Sequence, residues 1–183
     1  PNSLGVRYNK LAINAIGYAS CMSQSNFITE ALCHKGWRET VGLPLVNECI
    51  ATFARAGITL SRIPAGPDIR RLRRVLGVLG VPLAGGVVAF GAGQLYNRKP
   101  IVFSLYQDLL CGRATEVDFV NGQLVRLAAA HGLEAVHNAR VVDMVHELER
   151  QGPAKFFTRD DIISRFQNPL RPPRLTGAGE HVT

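Results

Sequence analysis

The 183-residue sequence contains no stretch that alternates apolar and polar residues convincingly as a strand, and no internal repeat. That leaves an all-α, multi-helix architecture in one domain, and at 46% hydrophobic the chain can bury a real core. Cysteine is scarce: Cys21, Cys33, Cys49 and Cys111 stand at wide, irregular spacings with no C-x-x-C pair. Neither a zinc pattern nor a disulfide framework fits, no metal ligand set is expected, and a reducing, cytoplasmic setting is. Three of the four sit among apolar neighbours, which predicts buried thiols. The chain opens on Pro1 without an initiator Met or a signal peptide, so an upstream segment is expected.

Acid is also in short supply, with 14 Asp and Glu against 21 Lys and Arg and a formal net charge of +7. Such a balance favours anionic partners, including nucleotide cofactors and carboxylate substrates. The excess is local, in Arg70, Arg71, Arg73 and Arg74 and in Arg165, Arg171 and Arg174. The first run lacks aromatic interleaving and a recognition fold, so it reads as a solvated helix face with no nucleic acid implied. After it come 21 residues without a charge, VLGVLGVPLAGGVVAFGAGQL. They meet the length rule for a membrane span, but their six glycines and Pro82 weaken a helix and leave few bulky side chains for lipid. A pair of buried helices broken near Pro82 is expected instead, and no membrane partner. Gly91-Ala92-Gly93 follows no strand and opens no βαβ unit, so it is not read as a dinucleotide-binding turn.

Helical periodicity organises the rest. Leu11, Ala15, Tyr18, Ala19 and Met22 predict a helix over about residues 7–23, with Lys10, Asn14, Gly17 and Cys21 on the opposite face. Ser25 to Gly36 reads as a turn and short helix ended by Gly36, and Pro44 opens a helix that runs to Gly57. Trp37 is expected in the core or at an interface. Ser104-x-x-Gln107 predicts a capping box for a short helix ending near Gly112. Thr115 would cap a second helix, ended by Gly132, and Asn138 a third; Thr158 would cap a last one to about Phe166. Residues 1–157 are therefore expected to form the helical substrate and dimerisation domain, with 58–100 an irregular apolar insertion. Residues 158–183 are expected to be a short helix and loose tail.

Lys10 and Asn14 are four apart and rise from one helix face. They make either a solvated face or, beside Gly17, a polar floor for a ligand. Ser104 and Glu116 stand at helix starts, where a serine caps and a carboxylate is stabilised as an anion by the helix dipole.

K-L-A-I-N, then S-L-Y-Q-D, then R-A-T-E-V-D-F-V-N-G, with A-H-G-L and H-E-L-E beyond, resembles the C-terminal domain of the ketopantoate reductase (2-dehydropantoate 2-reductase) family. The resemblance covers Lys10 to about Glu149. It implies a helical substrate domain related to that of the 6-phosphogluconate dehydrogenase-like reductases. It also implies a 2-oxoacid substrate and NADPH, held mainly by a Rossmann half that this sequence does not contain. By the same resemblance Lys10 is the general acid, Asn14 and Ser104 contact substrate, and Glu116 stands at the substrate and nicotinamide site. Tyr18 occupies the place of a second family asparagine, and Asn26 matches another only in a shifted alignment. Expected partners are a small 2-oxoacid and, as one option, a second copy of the chain. A non-catalytic helical domain that dimerises or binds a partner is the competing expectation.

Overall fold

The computed structural model describes residues 2–24, 33–63, 68–80, 87, 91 and 103–168. In chain order it forms α1 (Ser3–Cys21), α2 (Lys35–Trp37), a π-helical turn (Arg38–Gly42) and α3 (Leu43–Arg55). Then come α4 (Ile69–Leu79), α5 (Ser104–Cys111), α6 (Val117–Ala130), α7 (Val136–Gln151) and α8 (Arg159–Gln167). Among the described residues there is no strand, as the patterning predicts. Asn26, Pro82, Gly93 and the tail beyond Asn168 lie outside the described residues, and so do the turn expected after Ser25 and the break expected near Pro82.

The central element is α1. It starts at Ser3 rather than near residue 7, because the Asn2 side chain accepts from the Gly5 amide and caps it. Ala12, Ala15, Ile16 and Ala19 are fully buried, and α3, α4, α5, α6 and α7 all pack on this helix. A helix apolar on most of its circumference belongs inside a core, and its small residues let neighbours approach from several sides. The expected polar face holds only in part: Gly17 and Cys21 are buried, whereas Lys10 is exposed and Asn14 half-buried. A Cβ at Gly17 would overlap the Phe103 ring, so this glycine sets how close α5 comes to α1.

Several expected caps are replaced. Gly36 lies inside α2 instead of ending a helix, and the His34 ring caps that helix by accepting from the Trp37 amide at 3.2 Å. Pro44 sits in the first turn of α3, but the chain is already helical through the preceding π turn. Asn138 lies buried inside α7 rather than at its cap. There Glu48 of α3 caps from across the fold: its carboxylate accepts from the backbone amides of His137 (2.7 Å) and Asn138 (3.0 Å) and from Asn138 Nδ2 (2.8 Å). His137 Nδ1 closes the group at 2.6 Å. At α8 the expectation holds: Thr158 and Asp161 form a reciprocal capping box.

Trp37, Tyr18 and Phe53 are the largest fully buried side chains. Two thiols rather than three are fully buried, Cys21 and Cys49; Cys33 is half-buried and Cys111, at the end of the amphipathic α5, is exposed. Burial pushes the Cys21 thiol up to about 12 and raises that of Cys49 as well, so neither is a nucleophile at neutral pH. The arginine run behaves as expected. On α4, capped by Asp68, Arg70, Arg71, Arg73 and Arg74 are exposed while Ile69, Leu76 and Leu79 turn inward.

Candidate active site

The site is built where α1 meets the first turns of α5 and α6. Lys10, Asn14 and Tyr18 stand at successive four-residue steps on α1, each about 6 Å further along the axis. Lys10 projects from the exposed part of the helix, and Asn14 is half-buried. Tyr18 is buried, with its ring edge-on to Phe103 at 6.5 Å between centroids.

Ser104 was expected to cap α5. Phe103 takes the cap position instead, without a side-chain hydrogen bond, and Ser104 begins the helix proper. Its freed hydroxyl lies 3.4 Å from the Tyr18 hydroxyl. Phe103, held in the notch left by Gly17, fixes where that serine falls. Gly112 ends the helix at φ 67°, while Arg113 N donates to the Asp108 carbonyl at 2.8 Å in a Schellman-type closure.

The helix that follows α5 begins similarly. Glu116 is at the cap position of α6, its side chain exposed and making no capping bond; the Thr115 hydroxyl accepts from the Val117 amide at 3.3 Å. Val117, Val120 and Leu124 bury the helix, and Asn121 Nδ2 donates to the Ala15 carbonyl of α1 at 3.1 Å. That bond sets the register in which Glu116 faces the α1 residues. Burial raises the Tyr18 phenol above its usual value; the Ser104 hydrogen bond works against this, and the nearby Glu116, Cys21 and Asp108 add to the rise. Tyr18 is therefore a neutral hydroxyl through the physiological range.

The structure thus brings Tyr18 to Ser104 and within electrostatic reach of Glu116, with Asn14 and Lys10 one and two turns away on the same helix. Asn26 lies outside the described residues. Among the described residues, Lys10, Asn14 and Glu116 make no side-chain hydrogen bond or ion pair. Beside them, but lined by none of them, runs a groove of about 370 Å³ between α1 and α6. Leu4, Arg7, Tyr8, Leu11, Phe119 and Gln123 line it.

Sequence reasoning passed over the polar groups that hold these first turns in place. Glu149 of α7 accepts from the Thr115 amide at 2.8 Å, and His146 bonds both Glu149 (2.7 Å) and Asp118 (3.2 Å). On the other side, Asn9 is fully buried and bridges Ser61, Asp68 and Ile69. The i, i+3 spacing of His146 and Glu149 was the only local signal for any of this.

A central small-residue helix with an exposed lysine and half-buried asparagine, packed against two helices that start at a serine and a glutamate, defines an all-helical domain. Residues 2–149 match the family model described as ketopantoate reductase PanE/ApbA C terminal, and the chain belongs to that family. A 50-residue stretch is 40% identical to the 2-dehydropantoate 2-reductase of Shigella flexneri and to that of Escherichia coli O157:H7. It covers 27% of this chain and 16% of each relative. The Yersinia pestis enzyme of the same name is 41% identical over 46 residues, 25% of this chain and 15% of its own length. No helix among the described residues is long and apolar enough to cross a membrane.

Proposed function

We propose that this domain is the substrate side of an NADPH-dependent reductase that converts a 2-oxoacid such as 2-dehydropantoate to the 2-hydroxy acid. The observation that carries the reading is the shared face of Lys10, Asn14 and Tyr18, met by Ser104 and overlooked by Glu116. NADPH, when bound, supplies the hydride. The described residues suit only its reactive end: an ammonium, an amide, hydroxyls and one carboxylate are present, but no strand–turn–helix to cradle a pyrophosphate.

Reduction of a ketone builds negative charge on the carbonyl oxygen. The Lys10 ammonium stabilises that charge and donates the proton, so it is the general acid. Asn14 and Ser104 orient the substrate by hydrogen bonds, and the Ser104 hydroxyl is itself steadied by Tyr18. Glu116 is the carboxylate that would stand at the substrate and nicotinamide end of the site, within electrostatic reach of Tyr18. Tyr18, larger than an amide and paired with Ser104, narrows the substrate end and favours a compact branched 2-oxoacid. The test is NADPH oxidation by the full-length gene product with a panel of branched 2-oxoacids. Turnover with at least one is expected; none with any of them would end the proposal.

A further inference from the structure

Two carboxylates approach the His146 ring from opposite nitrogens. Glu149 Oε2 lies 2.7 Å from Nδ1 and Asp118 Oδ1 lies 3.2 Å from Nε2. A neutral imidazole carries one N–H, so it can donate to only one of them and would set a lone pair against the other. Only the imidazolium satisfies both. The two carboxylates do not converge on a common point, which makes this a brace rather than a metal site.

What the brace holds is the chain on either side of Glu116. The second oxygen of Glu149, Oε1, accepts from the Thr115 amide at 2.8 Å, and Asp118 lies in the first turn of α6. Residues 115 and 118 are thus both tied to one ring on α7, with Glu116 between them. We propose that His146 is a positioning residue, whose imidazolium fixes the first turn of α6 and thereby the place of the Glu116 carboxylate. This rests on the reading of Glu116 as a site residue.

Other charges near the ring leave the arrangement intact. From α6, Arg126 lies beside Asp118 and donates to its carbonyl oxygen at 2.9 Å. On α7, Glu147 is engaged by Arg165 of α8 at 2.7 Å. Arg113 and Glu116 of the joining segment are exposed and make no bond to the ring. The Glu149 hydrogen bond raises the His146 pKa; burial opposes this, and Asp118 adds to the rise. Burial alone would raise the Glu149 carboxyl, but bonds from His146 and Thr115 together hold it below its usual range. The sign follows. The histidine contribution is complete below the ordinary histidine value and is lost as pH rises through the elevated one. The Glu149 contribution is lost only in acid, as pH falls through the depressed carboxyl value.

The experiment pairs an NMR titration of the full chain with the pH profile of the full-length gene product. The Thr115 and Glu116 amide signals should shift with the midpoint of the His146 ring, and kcat should fall about fivefold as pH rises past that midpoint. Asp118→Asn should lower the midpoint, and His146→Gln should abolish both the amide titration and the step in kcat. Asp118 is largely exposed, so its variant keeps the test available if His146→Gln folds poorly. Amides indifferent to His146, or a kcat profile unchanged in both variants, would overturn the inference. Coupled amides without turnover of any 2-oxoacid would instead leave the brace standing and remove the reductase reading.

Discussion

Replacing Glu48 with glutamine should destabilise this fold more than its half-polar setting suggests. In the native protein one carboxylate takes two backbone amides at the start of α7, the Asn138 side chain and the His137 ring, all at 2.6 to 3.0 Å. Glutamine keeps one acceptor oxygen and turns an NH2 group toward the remaining donors. Two charge-assisted bonds disappear, each contributing about 1.5 kcal/mol or more, and the helix loses an anion at its positive end. Asn138 is fully buried, so its orphaned donor cannot turn to water. The total is about 3 kcal/mol, which for a chain of 183 residues lowers Tm by roughly 6–12 °C. The damage should spread to α6, because Asn138 Oδ1 accepts from Asn121 Nδ2, which in turn anchors α6 to α1. Thermal and urea denaturation of the variant, followed by far-UV circular dichroism, measure this directly. A Tm within 2 °C of the parent would show that capping from α3 contributes nothing, and the long-range account of α7 would fail.

Other substitutions probe the seat of Ser104. Gly17→Ala should gain about 1 kcal/mol of helix propensity yet lose about 1–3 from overlap with Phe103, for a net loss that Phe103→Leu partly rescues. A stabilised Gly17→Ala, or no coupling between the two changes in urea unfolding, would refute the close approach of α5. Ser104→Ala should reduce kcat/KM for the 2-oxoacid about fivefold, the value of one orienting hydrogen bond, with a Tm loss of a few degrees from the buried Tyr18 hydroxyl it leaves unpartnered. Unaltered steady-state kinetics would take Ser104 out of the substrate contacts.

Much of the fold could be read from periodicity, because a core helix records its buried stripe in its own residues. Leu11, Ala15 and Tyr18 marked α1, and Val117, Val120 and Leu124 marked α6. What was not legible is what distant residues decide. Asn138 looked like a cap, but a carboxylate 90 residues away took that place and drew the asparagine inside. Ser104 looked like a cap as well, until Phe103, seated against Gly17, moved the helix start by one residue. Gly17 seemed to belong to a polar face because its lack of a side chain hides the contact it permits. The candidate site shows the same division. Lys10, Asn14, Ser104 and Glu116 were visible as residue types at suggestive offsets. His146, Asp118 and Glu149 were not, because their meeting depends on how α6 and α7 pack.

The most direct test of the central claim is the effect of Lys10→Ala on NADPH-dependent reduction of 2-dehydropantoate by the full-length gene product. If Lys10 supplies the proton from the face it shares with Asn14 and Tyr18, kcat should fall by roughly 10²–10⁴-fold, with KM changing far less and Tm held. A Lys10→Ala enzyme that turns over at the parental rate would contradict the account.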